Sequence, residues 1–183
     1  QKDQQGVAQM DHNVDQVIPL ARELRGKADV FTYNRLAPFG EGSQLLSVDP
    51  ERYRSFLHEY LEEARNNPVM GLKDNLLNIE LSGNGMDTFG GCAGYGCGAA
   101  FNFMALLPDG EVHACRKFPS LLGNINDTPL RDIYDSALAE QYRRGPAECA
   151  GCSLAPVCRG CPAVASGMGK DFFREKDPYC FLS

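Results

Sequence analysis

Eight cysteines, Cys92, Cys97, Cys115, Cys149, Cys152, Cys158, Cys161 and Cys180, are gathered in the second half of this 183-residue chain, and the first half has none. Cys149/Cys152 and Cys158/Cys161 form two C-x2-C pairs separated by five residues. A C-x2-C turn points two thiolates at one metal and aims backbone N–H groups at the sulfurs, which stabilises their charge. Gly151 and Gly160 lie inside these turns, and a tight backbone path there calls for glycine. Three chemistries suit eight cysteines. Disulfides belong to oxidising compartments and small core-poor domains, and nothing in the sequence signals secretion. Two structural zinc sites of four cysteines each are the stronger rival. Zinc knuckles usually draw four nearby ligands to one metal in local order, whereas here one ligand of each set must come from far along the chain. Iron–sulfur clusters, each held by four thiolates, are the leading expectation.

The elements that position these cysteines can be read around them. Phe101 to Ala114 (FNFMALLPDGEVHA) reads as a β-hairpin turning at Pro108-Asp109-Gly110. Its returning strand delivers Cys115, and Cys97 sits at the same open end. The glycine-dense loop GGCAGYGCG brings Cys92 close, and Cys180 returns last, in DPYCF.

Upstream, Asn13 caps a predicted helix running to about Arg25, with Gly26 just past its end. Pro19 falls within that span and should kink the helix or delay its true start. Ala28 to Tyr33 reads as a buried strand, and Pro50 to Arg65 as a second helix with Asp49 as N-cap. Helix, strand and helix make one and a half units of an α/β fold, in which the lone strand has no partner. Two readings of this half stand: a small α/β layer, or the tail of a barrel whose earlier strands lie outside the sequence. The missing Met at position 1 and the orphan strand favour a piece of a longer parent. The expected architecture is α+β: residues 1–75 the remnant of an α/β partial barrel, and 76–183 a β-hairpin with short helices organised by metal. Because ligation contributes folding energy, the metal-free second half should be poorly ordered.

Hydrophobic residues make up 43% of the chain and charged residues 23%, as in a globular protein, and the net charge of −6 lacks the basic footprint of nucleic-acid binding. No apolar run approaches the roughly 18 residues that cross a bilayer, and a cytoplasmic location is expected.

The cysteine spacing resembles the SPASM extension of radical SAM enzymes, which mature peptides and proteins. Cys97, twelve residues, Gly110, four residues and Cys115 match that family's first part; Cys149-x2-Cys152-x5-Cys158 matches the second, and Cys180 the distant last cysteine. LLGNINDTPLRDIYDS is similar to the family's Gly-Asn turn and short helix, so the likeness covers about residues 90–181. It implies two auxiliary [4Fe-4S] clusters with interleaved ligands: Cys92, Cys97, Cys115 and Cys161 for the first, Cys149, Cys152, Cys158 and Cys180 for the second. Two residues separate Cys158 from Cys161 where the family usually has three, and an exchange of these two leaves the ligand count unchanged.

The resemblance further implies that ADVFTYNRLAPFGEG is the sixth strand and following loop of a radical SAM barrel, with Asn34 and Arg35 at the edge where S-adenosylmethionine lies. No C-x3-C-x2-C motif, which binds the catalytic third [4Fe-4S] cluster, occurs in the sequence, so the chain is not expected to be catalytic alone. It reads as the auxiliary-cluster region of an oxidoreductase acting on a peptide or small protein, with an electron donor such as a ferredoxin or flavodoxin. The clusters are expected to serve electron transfer and the structure of the substrate site. Sulfatase-maturing members have aspartate after the third cysteine, where Arg116 stands here, which points instead to a maturase of selenium- or thiol-containing peptides. Arg116 and Lys117 either offset cluster charge or form a solvated basic pair. His113 reads as packed or solvated rather than as a ligand, and Tyr95 as turn packing or the wall of a cluster pocket. The alternative from another class is a non-enzymatic module, zinc- or iron–sulfur-stapled, that presents a peptide- or partner-binding surface.

Overall fold

The computed structural model describes residues 3–182. The strand read as an orphan has a partner within the chain: β1 (Gln4–Gln9) runs parallel to β2 (Val30–Arg35), with Val7 opposite Tyr33. β1 carries little sequence signal, since QQGVAQ offers only Val7 and Ala8 as apolar residues and its described side chains are largely exposed. A parallel pair needs a crossover, and this one is made by a 3-10 turn (Asp11–Gln16) and helix α1 (Val17–Glu23). Pro19 falls in the first turn of α1, where its missing N–H leaves no helical bond unmade, so the helix starts late rather than kinking. On its other edge β2 is closed by an isolated bridge to Met70: the Phe31 N–H donates to Val69 O at 2.6 Å and the Gly71 N–H to Phe31 O at 2.8 Å.

Helix α2 (Pro50–Ala64) starts as expected, with the Asp49 carboxylate accepting from the Glu51 and Arg52 N–H groups. Its buried face (Tyr53, Phe56, Leu57, Tyr60 and Leu61) packs on β2, and the Tyr33 ring meets Phe56 and Tyr60 edge-on at 5.0 and 4.9 Å. The core built here continues through α3 (Leu77–Gly83) and takes in Leu154, Cys158, Val164 and Tyr179. One apolar core therefore spans both sides of residue 75, which explains how residues far along the chain are fixed against β2 and α2.

A second sheet, β3 (Ala105–Leu106), β4 (Glu111–His113) and β5 (Leu121–Asn124), is antiparallel throughout. The turn at Pro108-Asp109-Gly110 is where the sequence places it, and Gly110 needs its φ of +89°. The paired arms are shorter than Phe101–Ala114, because the chain turns again at 98–103. β5 is formed by LLGN, leading to α4 (Leu130–Tyr134) and α5 (Ala137–Arg144), the latter capped by Ser136. A smaller core joins Ala99, Ala100, Ala114, Cys115, Phe118, Ala139 and Ala163, the last from α6 (Pro162–Gly167). The whole is a mixed α+β chain of small sheets and short helices. Among the described residues no helix is long and apolar enough to cross a membrane.

Candidate metal centre

All eight cysteines are free thiols, and they fall into two neighbourhoods. Cys149, Cys152, Cys158 and Cys180 line one small cavity whose apolar walls include Leu76, Ile79, Leu154 and Leu182. Cys149 closes a 3-10 turn (Ala147–Cys149), and the Cys152 N–H donates to Cys149 O at 3.1 Å, which folds the first pair back on itself. Burial, then the charges of Cys180 and Cys152, push the Cys149 thiol up to about 11. Burial pushes Cys158 up to about 12, against the Gly160 N–H that donates to its sulfur at 3.5 Å.

Cys97 lies within electrostatic reach of Cys161, Cys92 and Cys115, and burial, with these neighbours, drives its thiol far above the ordinary range. Cys115 follows β4 and is buried, its N–H donating to Ser120 Oγ at 3.1 Å. Cys161 holds the N-cap position of α6, and its N–H donates to Asp177 Oδ2 at 2.8 Å. Cys92, in a 3-10 turn (Gly91–Ala93), is the exposed member. Burial raises the thiols of Cys92 and Cys161; Lys117 acts in the opposite direction on both, and Arg35 does so on Cys161. The basic pair is thus divided: Lys117 is half-buried with its charge felt by these thiols, while Arg116 is exposed.

Between the neighbourhoods runs the short Cys158–Cys161 segment, where Arg159 and Gly160 are both left-handed, at φ +57° and +65°. A Cβ at Gly160 would stand 2.6 Å from Asp177 Cβ. Gly151 differs from its expected counterpart: it has no positive φ, and a Cβ there would meet nothing within 4 Å, so that turn does not require glycine.

Four polar side chains outside the cysteine pattern organise this region. Asp74 and Asp177 pair with Arg35, and Asn75 and Asn78 tie the Cys92 loop to the Cys158 loop. The signal for the asparagines was present: DNLLNIEL places two of them three apart in an apolar helical run, where they share a face. Asn34 and Arg35 end β2 on opposite faces, Asn34 half-buried and Arg35 buried with its guanidinium on the two carboxylates. His113 is satisfied within the sheet, its Nδ1 accepting from the Ser120 N–H at 3.0 Å and its Nε2 facing Glu111 Oε2 at 2.9 Å. Tyr95 is exposed and packs edge-on against Phe101.

Among the described residues no three His, Cys, Asp or Glu side chains converge on a point that would hold a single ion. The second set instead stands around a cavity, and four free thiols, Cys158 buried and the other three half-buried, with an N–H on one sulfur are a donor set that suits a cysteine-ligated iron–sulfur cluster.

Residues 97–162 match the family model of SPASM, the iron-sulfur cluster-binding domain. Six of the eight cysteines fall within the match, which makes this part of the chain similar to an iron–sulfur cluster-binding domain. Over 187 aligned residues the chain is 28% identical to the AdoMet-dependent heme synthase of Methanosarcina barkeri (strain Fusaro / DSM 804), covering 91% of this chain and 51% of the relative. The chain thus spans about half the length of the curated relative it matches. No solved structure matches it.

Proposed function

We propose that this chain is the auxiliary-cluster region of a radical SAM enzyme, with Cys92, Cys97, Cys115 and Cys161 holding one [4Fe-4S] cluster and Cys149, Cys152, Cys158 and Cys180 a second. The observation that carries this reading is the sorting of eight free thiols into two neighbourhoods within and beside the SPASM match. Interleaving supports it too, since Cys158 and Cys161 are close in sequence yet lie in different sets.

A cluster with four cysteine ligands supplies one-electron exchange when bound, with no open iron for a substrate. The chain's own residues do the rest. Apolar side chains around the second set restrict water, Gly160 donates to a sulfur, and Lys117 and Arg35 bring positive charge that favours the thiolate over the thiol. The β1–α1–β2 unit with α2 is read as the end of the radical SAM barrel, with Asn34 at the S-adenosylmethionine edge and Arg35 ordering the same strand end. The third cluster and S-adenosylmethionine belong to the remainder of the enzyme, as does contact with an electron donor such as a ferredoxin or flavodoxin. Free thiols in this number fit a reducing, cytoplasmic setting.

For the substrate, the first reading is a peptide or small protein, which rests on the resemblance of the cysteine spacing to the extension of peptide-maturing radical SAM enzymes. A second reading, a heme precursor, is favoured by the description of the Methanosarcina barkeri relative as a heme synthase.

The test is anaerobic reconstitution with iron and sulfide, followed by metal analysis and EPR before and after dithionite. About eight irons per chain and two reducible signals are expected. Two tightly bound zincs in a colourless, redox-silent protein would replace this reading with that of a structural, partner-presenting module.

A further inference from the structure

The amide of Asn75 is almost fully buried and engages both cysteine neighbourhoods at once. Its Oδ1 accepts the Cys92 N–H at 2.6 Å. Its Nδ2 donates to Cys158 O at 2.9 Å and to Gly160 O at 3.0 Å. An asparagine side chain has one carbonyl oxygen and two N–H donors, and here each is matched to a backbone group that needs it. The partners also fix the orientation of the amide, because a flipped side chain would set an N–H against the Cys92 N–H and an oxygen against two carbonyls.

Asn102 Nδ2 donates to Ala93 O at 3.1 Å and Arg159 to Tyr95 O, which hold the outer part of the loop carrying Cys92, and the Asn75 contact is the one that reaches the Cys92 backbone. The loop's own backbone bonds, Ala93 N–H to Gly96 O and Gly96 N–H to Gly90 O, both at 3.0 Å, close it on itself and do not fix it to the rest of the molecule. Gly91 permits the approach: its φ is +64°, and a Cβ there would stand 2.5 Å from Asn75 Oδ1. Three residues on, Asn78 repeats the pattern earlier in both loops, accepting the Phe89 N–H at 2.9 Å and donating to Val157 O at 2.9 Å. The two asparagines thus bridge residues 89–92 to 157–160, and only Asn75 acts at the cysteines themselves.

We infer that Asn75 is a positioning residue that seats Cys92 in the first thiol set and holds that set in register with the second. This rests on the ligand sets proposed above. Cys92 is the set's exposed thiol, on a loop of high backbone entropy, so its place depends on a fixed point outside the loop. Leucine at position 75 fills a similar volume and removes all three bonds. Aspartate retains an acceptor for the Cys92 N–H but turns an oxygen towards the Cys158 and Gly160 carbonyls.

The experiment compares the reconstituted wild-type protein with Asn75→Leu, Asn75→Asp and, as a control for the neighbouring bridge, Asn78→Leu. Three quantities are read: amide hydrogen exchange at Cys92, iron per chain, and the EPR signals of the reduced protein. For Asn75→Leu, exchange at Cys92 should quicken about tenfold, the worth of one lost hydrogen bond. Iron should fall by about half, with one EPR signal lost and the other unchanged. Asn75→Asp should keep Cys92 exchange slow while shifting both signals, and Asn78→Leu should keep the wild-type iron content. Wild-type exchange at Cys92 in Asn75→Leu, or loss of both signals together, would overturn the inference. Should Asn75→Leu not fold, Asn75→Asp decides: unshifted signals with fast Cys92 exchange count against it. If the wild-type protein itself binds no cluster, the ligand reading fails on that control. Exchange at Cys92 in the two position-75 variants still decides the positioning role, because it is read from an amide and not from a metal.

Discussion

Arg35 and Asp177 are 142 positions apart in the sequence, yet Nη1 of the first donates to Oδ1 of the second at 2.7 Å. The same guanidinium donates through Nε to Asp74 Oδ2 at 2.7 Å, and its carbon lies 5.6 and 5.4 Å from the ring centroids of Tyr53 and Tyr179. Desolvation opposes a charge at this depth, but Asp177 and Asp74 outweigh it and raise the Arg35 pKa well above its ordinary value. Asp177 passes the constraint on: its Oδ2 takes the Cys161 N–H and its Oδ1 the Tyr179 N–H, beside Cys180. A strand end in the first half of the chain is thereby tied, through Asp177, to the Cys180 segment and to the Cys161 backbone, one cysteine of each set.

Removing the cation should therefore cost more than softening one anion. Arg35→Met leaves two buried carboxylates without a counter-charge and is expected to destabilise the protein by about 3–5 kcal/mol. Asp177→Asn retains one acceptor oxygen, which serves either the Cys161 N–H or Arg35 with the Tyr179 N–H, but it removes one charge and leaves Asp74 on Arg35, so its cost should be smaller. Urea midpoints of the two variants check the order, and equal costs would mean that the pair is not the anchor.

The two glycines inside the C-x2-C turns should respond differently to the same substitution. Gly160→Ala places a Cβ against Asp177 and forces a non-glycine residue to φ +65° beside left-handed Arg159, for which about 1–3 kcal/mol is expected. Gly151→Ala, facing open space, should stay within about 0.5 kcal/mol. Thermal unfolding of the loaded protein separates the two.

What the sequence revealed and what it hid follow from how far each signal reaches. Asp49-Pro50 fixed the start of α2 and Pro108-Asp109-Gly110 placed the hairpin turn, because capping and turn chemistry act over three or four residues. The cysteines announced a metal-binding domain because thiolate ligation constrains spacing. By contrast, β1 escaped because an exposed edge strand needs little apolar patterning, and its partner β2 lies beyond a helix. Asp177 gave no sign of its role: a lone aspartate near the C-terminus reads as solvated until the fold brings Arg35 against it. Gly151 misled, since a C-x2-C turn permits glycine without always needing it.

Single cysteine replacements should sort by neighbourhood rather than by sequence order. Cys158→Ser and Cys180→Ser should disturb one and the same EPR signal, and Cys161→Ser and Cys97→Ser the other, although Cys158 and Cys161 are near neighbours in the chain. Each replacement should lower iron by up to about half. If Cys158→Ser instead disturbs the signal affected by Cys97→Ser, the two residues of the short segment exchange sets.

The raised thiols make the stability of the metal-free protein depend on pH in a fixed direction. Burial lifts Cys149 to about 11 and Cys158 to about 12, against about 8.5 for a thiol in the unfolded chain. A folded-state pKa above the unfolded value means that the contribution is fully present below about pH 8.5, where both states keep their protons. As pH rises past that point the unfolded chain loses protons first, so stability should fall continuously until the folded thiols ionise near 11 and 12. Metal loading has the opposite requirement, since ligands bind as thiolates, so loading releases protons and should be weaker at about pH 6 than at about pH 8. Urea midpoints of the metal-free protein measured from about pH 7 to about pH 10 should decline, and those of the loaded protein should not. A flat profile for the metal-free protein would mean that its thiols already titrate as in an unfolded chain, and that ligation rather than the apolar core holds the second half together.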